Sequence, residues 1–268
     1  MKPDGPNLRA PSLGLTALLL AAAPATGAEP GANSRTLITM QGRQQPAWFL
    51  CDGIDAPTVQ VVGKPDAKGD LVIAAYDKAA PGPPLIHDHH LGPADPGAGN
   101  VHYALTRNGR PAGFLHAFNP GMLDDPDRAL TPPFTSMRVD GREIGCRWLE
   151  GTRLIGFSAR RTFAVTQDRA GRLTYRTFDF SEAAHAAPAA ADGVERTTRP
   201  TLTIDGGVES AAAGQTVFRF TNNGYGYVVR VPISPGSGPA KVLVTRGGRT
   251  VQTEPLAAYT WAPRPSRP

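Results

Sequence analysis

The sequence predicts an all-β protein, because short segments alternate apolar and polar residues and no segment after the first 28 residues keeps a helical period. Alternating segments begin at Thr58, Asp70, Arg161, Arg172 and Thr216. They are rich in β-branched and aromatic residues, and turn residues bound each of them. We therefore expect an antiparallel sandwich or barrel with a small C-terminal antiparallel hairpin module.

Residues 1–28 have the pattern of a secretory signal peptide. Lys2 and Arg9 form a charged start, Leu13 to Ala23 is apolar, and small residues lead to a cleavage point after Ala28. No later stretch reaches the ~18 consecutive apolar residues that a membrane-spanning helix needs. The sequence thus predicts a periplasmic or secreted protein without a membrane span.

An all-β domain is predicted over residues 29–182, with a disulfide between Cys51 and Cys146, the two cysteines of the chain. Export would place them in a compartment where disulfides persist. Two free thiols or a catalytic thiol are the alternatives. Neither cysteine has a histidine nearby in sequence, which favours the bridge.

The turns between these strands carry a local signal of their own. Asn108-Gly109, Asp140-Gly141 and Gly247-Gly248 are dipeptides that favour two-residue hairpin turns, since both central residues of such a turn need a positive φ. Alternating residues flank each dipeptide. We expect an antiparallel hairpin at each of the three positions.

Composition changes after this domain. Residues 183–200 are rich in Ala and Pro and predict a linker, residues 201–262 predict a small β module, and residues 263–268 predict a disordered tail. About 60 residues is close to the lower limit for an independent core. We therefore expect the module to lie against the larger domain.

A histidine-rich segment is the clearest candidate for metal chemistry. The predicted ligands of zinc or copper are His87, His89 and His90, which we place in a loop between Pro83 and a Gly-rich stretch, with His102 as a further ligand. The alternative is a solvated loop that binds no metal.

The register of the following hairpin decides whether His116 can join this group. A two-residue turn at Asn108-Gly109 places Leu115 opposite His102 and Val101 opposite His116, so the two histidines face opposite sides of the sheet. A bulge would reverse that result.

No catalytic residue is predicted. The chain has no G-x-S-x-G motif and no glycine-rich phosphate loop that opens a helix. A pair of carboxylates stays open, with Asp52, Asp55, Asp70 and Asp77 as candidates, since acids distant in sequence can meet in a barrel.

The chain carries a formal net charge of +5, and arginine is concentrated between Thr135 and Phe180. Such an excess suits an anionic partner, while the alternative is that the arginines point outward and serve solubility. The candidate residues for binding an anionic partner are Arg147, Arg153, Arg160, Arg161, Arg172 and Arg176.

Three stretches resemble a group of exported bacterial proteins that have no assigned activity: FLCDGIDAPTV from Phe49, CRWLEGTRLIGFSARRTFAVT from Cys146, and EPLAAYT from Glu254. The resemblance implies no catalytic residues. It does place Cys51 and Cys146 in two of the matched stretches, which agrees with their pairing.

Taken together, these features predict an exported, non-enzymatic binding protein of the cell envelope. Its expected partner is a cell-envelope component, either an anionic glycan or lipid, or an extracellular protein; nucleic acid is not expected. The alternative is a metal-dependent hydrolase or metal-binding protein that uses the His87–His90 segment. A third hypothesis is an assembly component, which would present an exposed apolar patch or an unpaired edge strand.

Overall fold

The structure, a computed structural model, describes residues 1, 33–54, 56–181, 199–233 and 238–264. Residues 2–28 of the predicted signal peptide, most of the predicted linker and residues 265–268 of the predicted tail lie outside the described residues, as does Asp55. The described residues form nineteen β-strands and two short 3-10 helices, Pro120–Met122 and Pro126–Arg128. The fold is all-β, as the sequence predicts.

The strands form two groups in space, a closed barrel and a curled sheet. In chain order they are β1 (Arg35–Met40), β2 (Arg43–Ala47), β3 (Phe49–Ile54), β4 (Thr58–Val62), β5 (Asp70–Asp77), β6 (Leu85–Pro96), β7 (Asn100–Arg107), β8 (Arg110–Phe118), β9 (Phe134–Val139), β10 (Arg142–Cys146), β11 (Thr152–Phe157), β12 (Arg161–Gln167), β13 (Leu173–Asp179), β14 (Leu202–Ala212), β15 (Gln215–Asn222), β16 (Tyr225–Pro232), β17 (Lys241–Arg246), β18 (Arg249–Pro255) and β19 (Ala258–Trp261).

Strands β3 to β10 close into an antiparallel barrel of eight strands, in which β10 pairs with β3. Inward-facing residues such as Leu71, Leu105 and Leu115 fill its interior. The disulfide between Cys51 and Cys146 confirms the predicted pairing, with a Cα–Cα distance of 4.7 Å. It joins the first strand of the barrel to the last and therefore fastens the closure of the barrel.

The remaining strands form one curled antiparallel sheet of eleven strands, with β18 and β2 at its edges. Its apolar core draws residues from β1 and from most of the strands from β11 onward, including Leu154, Tyr175 and Phe218. Tyr259 and Trp261 of β19 are buried in this core. β19 lies between β1 and β11, so the last strand of the chain is a central strand of the sheet.

This topology makes the barrel an insertion between β2 and β11 of the curled sheet. The predicted boundary at 183–200 does not follow that division, because β13 and β14, on its two sides, pair in one sheet. The predicted domain 29–182 therefore contains strands of both units, and the predicted module 201–262 continues the sheet begun by β11 to β13. The alternation of apolar and polar residues identifies a strand, but it does not indicate which distant strand pairs with it.

A second apolar core joins the two units. Leu50 and Val61 of the barrel contact the cluster formed by Ile38, Ile155 and Phe157 of the curled sheet. All five side chains are buried. At ~25 cal/mol per Å² of apolar surface, burial of this kind holds the barrel against the sheet.

The three predicted hairpin turns are present. Positive φ values occur at both residues of each dipeptide: 52° and 69° at Asn108-Gly109, 51° and 77° at Asp140-Gly141, and 55° and 77° at Gly247-Gly248.

Among the described residues, no helix has the length and apolar character that crossing a membrane requires.

Candidate functional site

The histidine-rich segment lies on a strand, which corrects the predicted loop. β6 pairs with β5 so that His87 is opposite Ile73 and His89 is opposite Leu71. Ile73 and Leu71 are buried in the barrel core, and directly opposed residues share a face of the sheet. His87 and His89 therefore face the barrel interior, and His90 faces outward.

His89 is a buried polar residue with one unpartnered ring nitrogen. It is 4 % exposed, and its Nδ1 lies 3.2 Å from the carbonyl oxygen of His87. Its Nε2 has no hydrogen-bond partner among the described residues. Burial lowers the pKa of His89, and the charge of Arg107 adds to this effect, while the His87 carbonyl and Asp140 oppose it.

His87 belongs to a polar group at one end of the barrel. Arg107 donates from Nη2 to Nδ1 of His87 at 2.9 Å, and Asp140 lies 3.4 Å from Nη1 of the same guanidinium. The Nε2 atom of His87 is 3.9 Å from the Asp140 carboxylate. His87 therefore has protein partners at both ring nitrogens.

The predicted metal ligands do not converge. His90 lies 3.0 Å from the Asp70 carboxylate on the outer face of the barrel, while His102 belongs to β7. Among the described residues, no group of three or more histidine, cysteine, aspartate or glutamate side chains is arranged to hold a metal ion. The alternation of β6 explains the separation, since neighbouring histidines point to opposite sides.

His102 instead meets His116, against the predicted register. The pairing of β7 with β8 shifts between Leu105 and Thr106, and beyond the shift His102 is directly opposite His116. Their ring centroids are 4.5 Å apart. Burial, followed by the charge of His102, lowers the pKa of His116.

The six predicted anion-binding arginines are mostly occupied by protein carboxylates. Arg153 is fully buried, and Arg147 is 8 % exposed. Arg160 is exposed, and Arg176 donates to the Thr166 hydroxyl at 2.8 Å. The ion pairs of the other four are Arg147 with Asp52 at 2.7 Å, Arg153 with Glu209 at 2.7 Å, Arg161 with Asp179 at 3.2 Å, and Arg172 with Asp168 at 2.7 Å.

Asp52, a candidate for paired-carboxylate chemistry, lies in a buried group of three charges. Its carboxylate is 1 % exposed and contacts Lys78 at 2.9 Å and Arg147 at 2.7 Å. The Arg147 guanidinium lies 3.5 Å over the ring of Phe178, and Lys78 lies 5.5 Å from the ring of Phe180. Two cations of the barrel thus surround this carboxylate, and these cations lie against Phe178 of the curled sheet and Phe180 just after it.

An aromatic cleft of about 610 Å³ lies between β1 and the barrel. Half-buried Trp48, Tyr103 and Phe118 share its wall with buried Phe134. Trp48 meets Phe134 and Tyr103 edge to face at 4.8 and 5.7 Å. The aromatic cleft is defined by Trp48, Tyr103, Phe118, Pro132, Pro133 and Phe134, with Arg35 and Lys64 at its rim.

Backbone contacts fix the shape of the aromatic cleft. Trp48 connects β2 to β3; its N–H donates to the Val62 carbonyl at 2.7 Å, and its carbonyl accepts from the Thr36 hydroxyl at 3.0 Å. Consecutive Pro132 and Pro133 restrict the backbone conformation of the segment that leads into β9. The wall is therefore largely preformed, which is typical of small-ligand sites.

The charges around the aromatic cleft have one sign. Its described lining includes Arg35 and Lys64 and no aspartate or glutamate. Lys64 is exposed, and no described carboxylate lies within ion-pair distance of its ammonium group. A second cleft, of about 650 Å³, contains four arginines, Arg128, Arg147, Arg169 and Arg176, together with Glu150 and Asp168. The aromatic cleft differs in having no carboxylate among its described lining residues.

Sequence reasoning did not identify the aromatic cleft, because its wall comes from segments between 34 and 134 that are separated by several strands. The available local signals were Trp48, placed between two strands, and the Pro132-Pro133-Phe134 run. Each signal is also compatible with an ordinary core or turn.

Comparisons of the chain with protein-family models, curated proteins and solved structures find no match.

Proposed function

We propose that the protein is an exported, non-enzymatic binding protein of the cell envelope that holds an anionic glycan in the aromatic cleft. The observation that supports this proposal is the combination of aromatic walls with two cations and no carboxylate among the described lining residues. The volume of about 610 Å³ lies within the range of ligand pockets, ~300–1,000 Å³.

The wall chemistry favours a glycan over a lipid chain. The apolar face of a sugar ring stacks on flat aromatic surfaces such as Trp48 and Phe118, and its hydroxyls need polar partners. Half-buried Asn119 supplies a side-chain amide in the cleft lining. A carboxylate or sulfate on the glycan would meet Lys64 at the exposed rim.

The proposed compartment is the periplasm or the extracellular space. The disulfide between Cys51 and Cys146 is compatible with a location outside the cytoplasm. The N-terminal pattern of residues 1–28 supports the same proposal.

Calorimetric titration with oligogalacturonate, an acidic sugar oligomer, and with a neutral maltooligosaccharide of equal length tests the proposal. We expect the acidic oligomer to bind more tightly. Lys64→Ala should weaken its binding about three- to fivefold, the equivalent of ~1 kcal/mol for an exposed charge pair. Higher salt should reduce the preference for the acidic oligomer.

Lys68→Ala is the matched control, since Lys68 is exposed on the same connection between β4 and β5 but does not line the aromatic cleft. It should leave both affinities unchanged. Equal binding of the two oligomers, or equal losses in the Lys64 and Lys68 variants, would contradict the proposal. Absence of binding to both would contradict a glycan ligand.

A further inference from the structure

The outer face of the barrel carries two histidines in direct contact. His102 on β7 is opposite His116 on β8, with ring centroids 4.5 Å apart and ring planes inclined by 31°. Directly opposed residues on an antiparallel pair have the closest side chains on the sheet. The two imidazoles are therefore close enough to ligate one ion together.

A bulge in β8 creates this contact. Thr106 is opposite Pro111, whereas Leu105 is opposite Gly113, so Ala112 is the extra residue. Gly113 has a φ of +145°, and a Cβ at that position would lie 1.8 Å from the carbonyl oxygen of Arg138. Only glycine fits there, and without the bulge Leu115 would stand opposite His102.

Neighbouring hydroxyls orient His116. Its Nδ1 lies 3.1 Å from the hydroxyl oxygen of Thr135 and 3.3 Å from that of Ser136. When Nδ1–H donates to either oxygen, Nε2 carries the lone pair. Metal-binding histidines are generally held by a hydrogen bond of this kind on the other ring nitrogen.

An acidic residue continues the same row across the strands. Asp95 on β6 is directly opposite His102, so it shares the outer face with both histidines. His90, by contrast, already contacts Asp70. The ring nitrogens of His102 and the Nε2 of His116 have no protein hydrogen-bond partner among the described residues.

We propose that His102 and His116 form a surface site that binds one divalent transition-metal ion through two imidazole nitrogens, with water completing the coordination. Cu²⁺ should bind more tightly than Zn²⁺, because nitrogen sites follow the usual order of divalent-metal affinity. This site is separate from the aromatic cleft and does not depend on the proposed glycan.

Calorimetric titration of the full chain with CuCl₂ in a non-coordinating buffer, without a histidine tag, tests the proposal. We expect one Cu²⁺ per chain. His102→Ala and His116→Ala should each weaken binding by at least about tenfold, as judged from the losses that even supporting residues cause. Electron paramagnetic resonance should show two coordinated nitrogens in the unmodified protein and one in either variant.

His90→Ala is the matched control, since it removes an exposed histidine from the same barrel. It should leave Cu²⁺ affinity and the resonance spectrum unchanged. Thermal unfolding of each variant verifies that the barrel is intact. Unaltered Cu²⁺ binding in the His102/His116 double variant, loss of binding in the His90 variant, or no Cu²⁺ binding by the unmodified protein would overturn the proposal.

Discussion

Asp52 holds two cations at the junction between the barrel and the curled sheet. Its carboxylate contacts Lys78 and Arg147, and all three side chains are at most 8 % exposed. Burial alone raises the pKa of Asp52, but the charges and hydrogen bonds of Lys78 and Arg147 outweigh burial and bring the pKa below its ordinary value. The stability of the protein should therefore depend on this carboxylate being ionised.

Asp52→Asn should lower the free energy of unfolding at pH 7 by about 3–5 kcal/mol, because it leaves two buried cations without a counter-charge. A carboxyl with a depressed pKa contributes stability above its unfolded pKa of ~3.9 and loses it as the pH falls through the folded value. The difference between the two proteins should therefore be largest above about pH 5 and shrink below about pH 4. Urea unfolding at pH 7 and pH 3 measures it.

Asp168→Asn is the control for this prediction. Asp168 pairs with Arg172 on an exposed surface, and such pairs contribute ~0–1 kcal/mol. A loss in the Asp52 variant no larger than that of the Asp168 variant would show that the buried charges do not stabilise the junction.

At the scale of the element, the bulge at Gly113 sets the register of the β7–β8 hairpin. Gly113→Ala places a methyl group against the backbone of Arg138 in a conformation that alanine rarely adopts. We expect a loss of at least ~2 kcal/mol in the free energy of unfolding, from steric overlap together with backbone strain. Chemical denaturation measures this loss.

Gly145→Ala on β10 provides the comparison, since a Cβ there meets no atom within 4 Å. It should change the free energy of unfolding by less than ~0.5 kcal/mol. Similar losses in the two variants would mean that the bulge tolerates a side chain.

The same elements show what a local pattern can predict. Alternation identified β4, β5 and β12 because apolar residues recur at every second position in each of them. β6 was mistaken for a loop because Gly92 and Pro93 interrupt it at a register shift, and such residues are confined to bulges and edges in sheets. Gly113, inside an alternating segment, was the available signal for the bulge that joins His102 to His116.

At the scale of the whole molecule, the disulfide controls the inserted barrel. It closes a separation of 95 residues, for which chain entropy gives about 4–5 kcal/mol of stabilisation. Cys51→Ala/Cys146→Ala should therefore lower the barrel's unfolding midpoint more than that of the curled sheet. Fluorescence of variants that keep only Trp48, beside the barrel core, or only Trp261, in the sheet core, distinguishes the two.

The reference proteins are the same single-tryptophan variants with both cysteines retained. In them, the unfolding midpoints reported by Trp48 and by Trp261 should lie closer to each other. Equal shifts of both signals in the double variant would contradict preferential loss of the barrel and would show that the second apolar core makes the two units unfold as one.

The insertion itself was beyond the reach of sequence patterns. Thr36 and Thr260 share a hydrogen bond of 2.9 Å although they are 224 positions apart. Pairing at that distance depends on which partners the rest of the fold leaves available, and alternation within β1 or β19 contains no record of it. The aromatic cleft could not be predicted from local patterns for the same reason, since β1 and the barrel form it together.

The central position of β19 also determines the order in which a growing chain completes its structure. All barrel strands are synthesised before β11, so the barrel and its disulfide are able to form early. β1 and β11 cannot complete their pairing until β19, which lies between them, has been made. Until residues 258–261 emerge, the two waiting strands present unpaired backbone edges that favour aggregation. β1 is therefore made first but gains its second neighbouring strand among the last. A chain truncated before Ala258 leaves one edge of β1 and one edge of β11 unpaired.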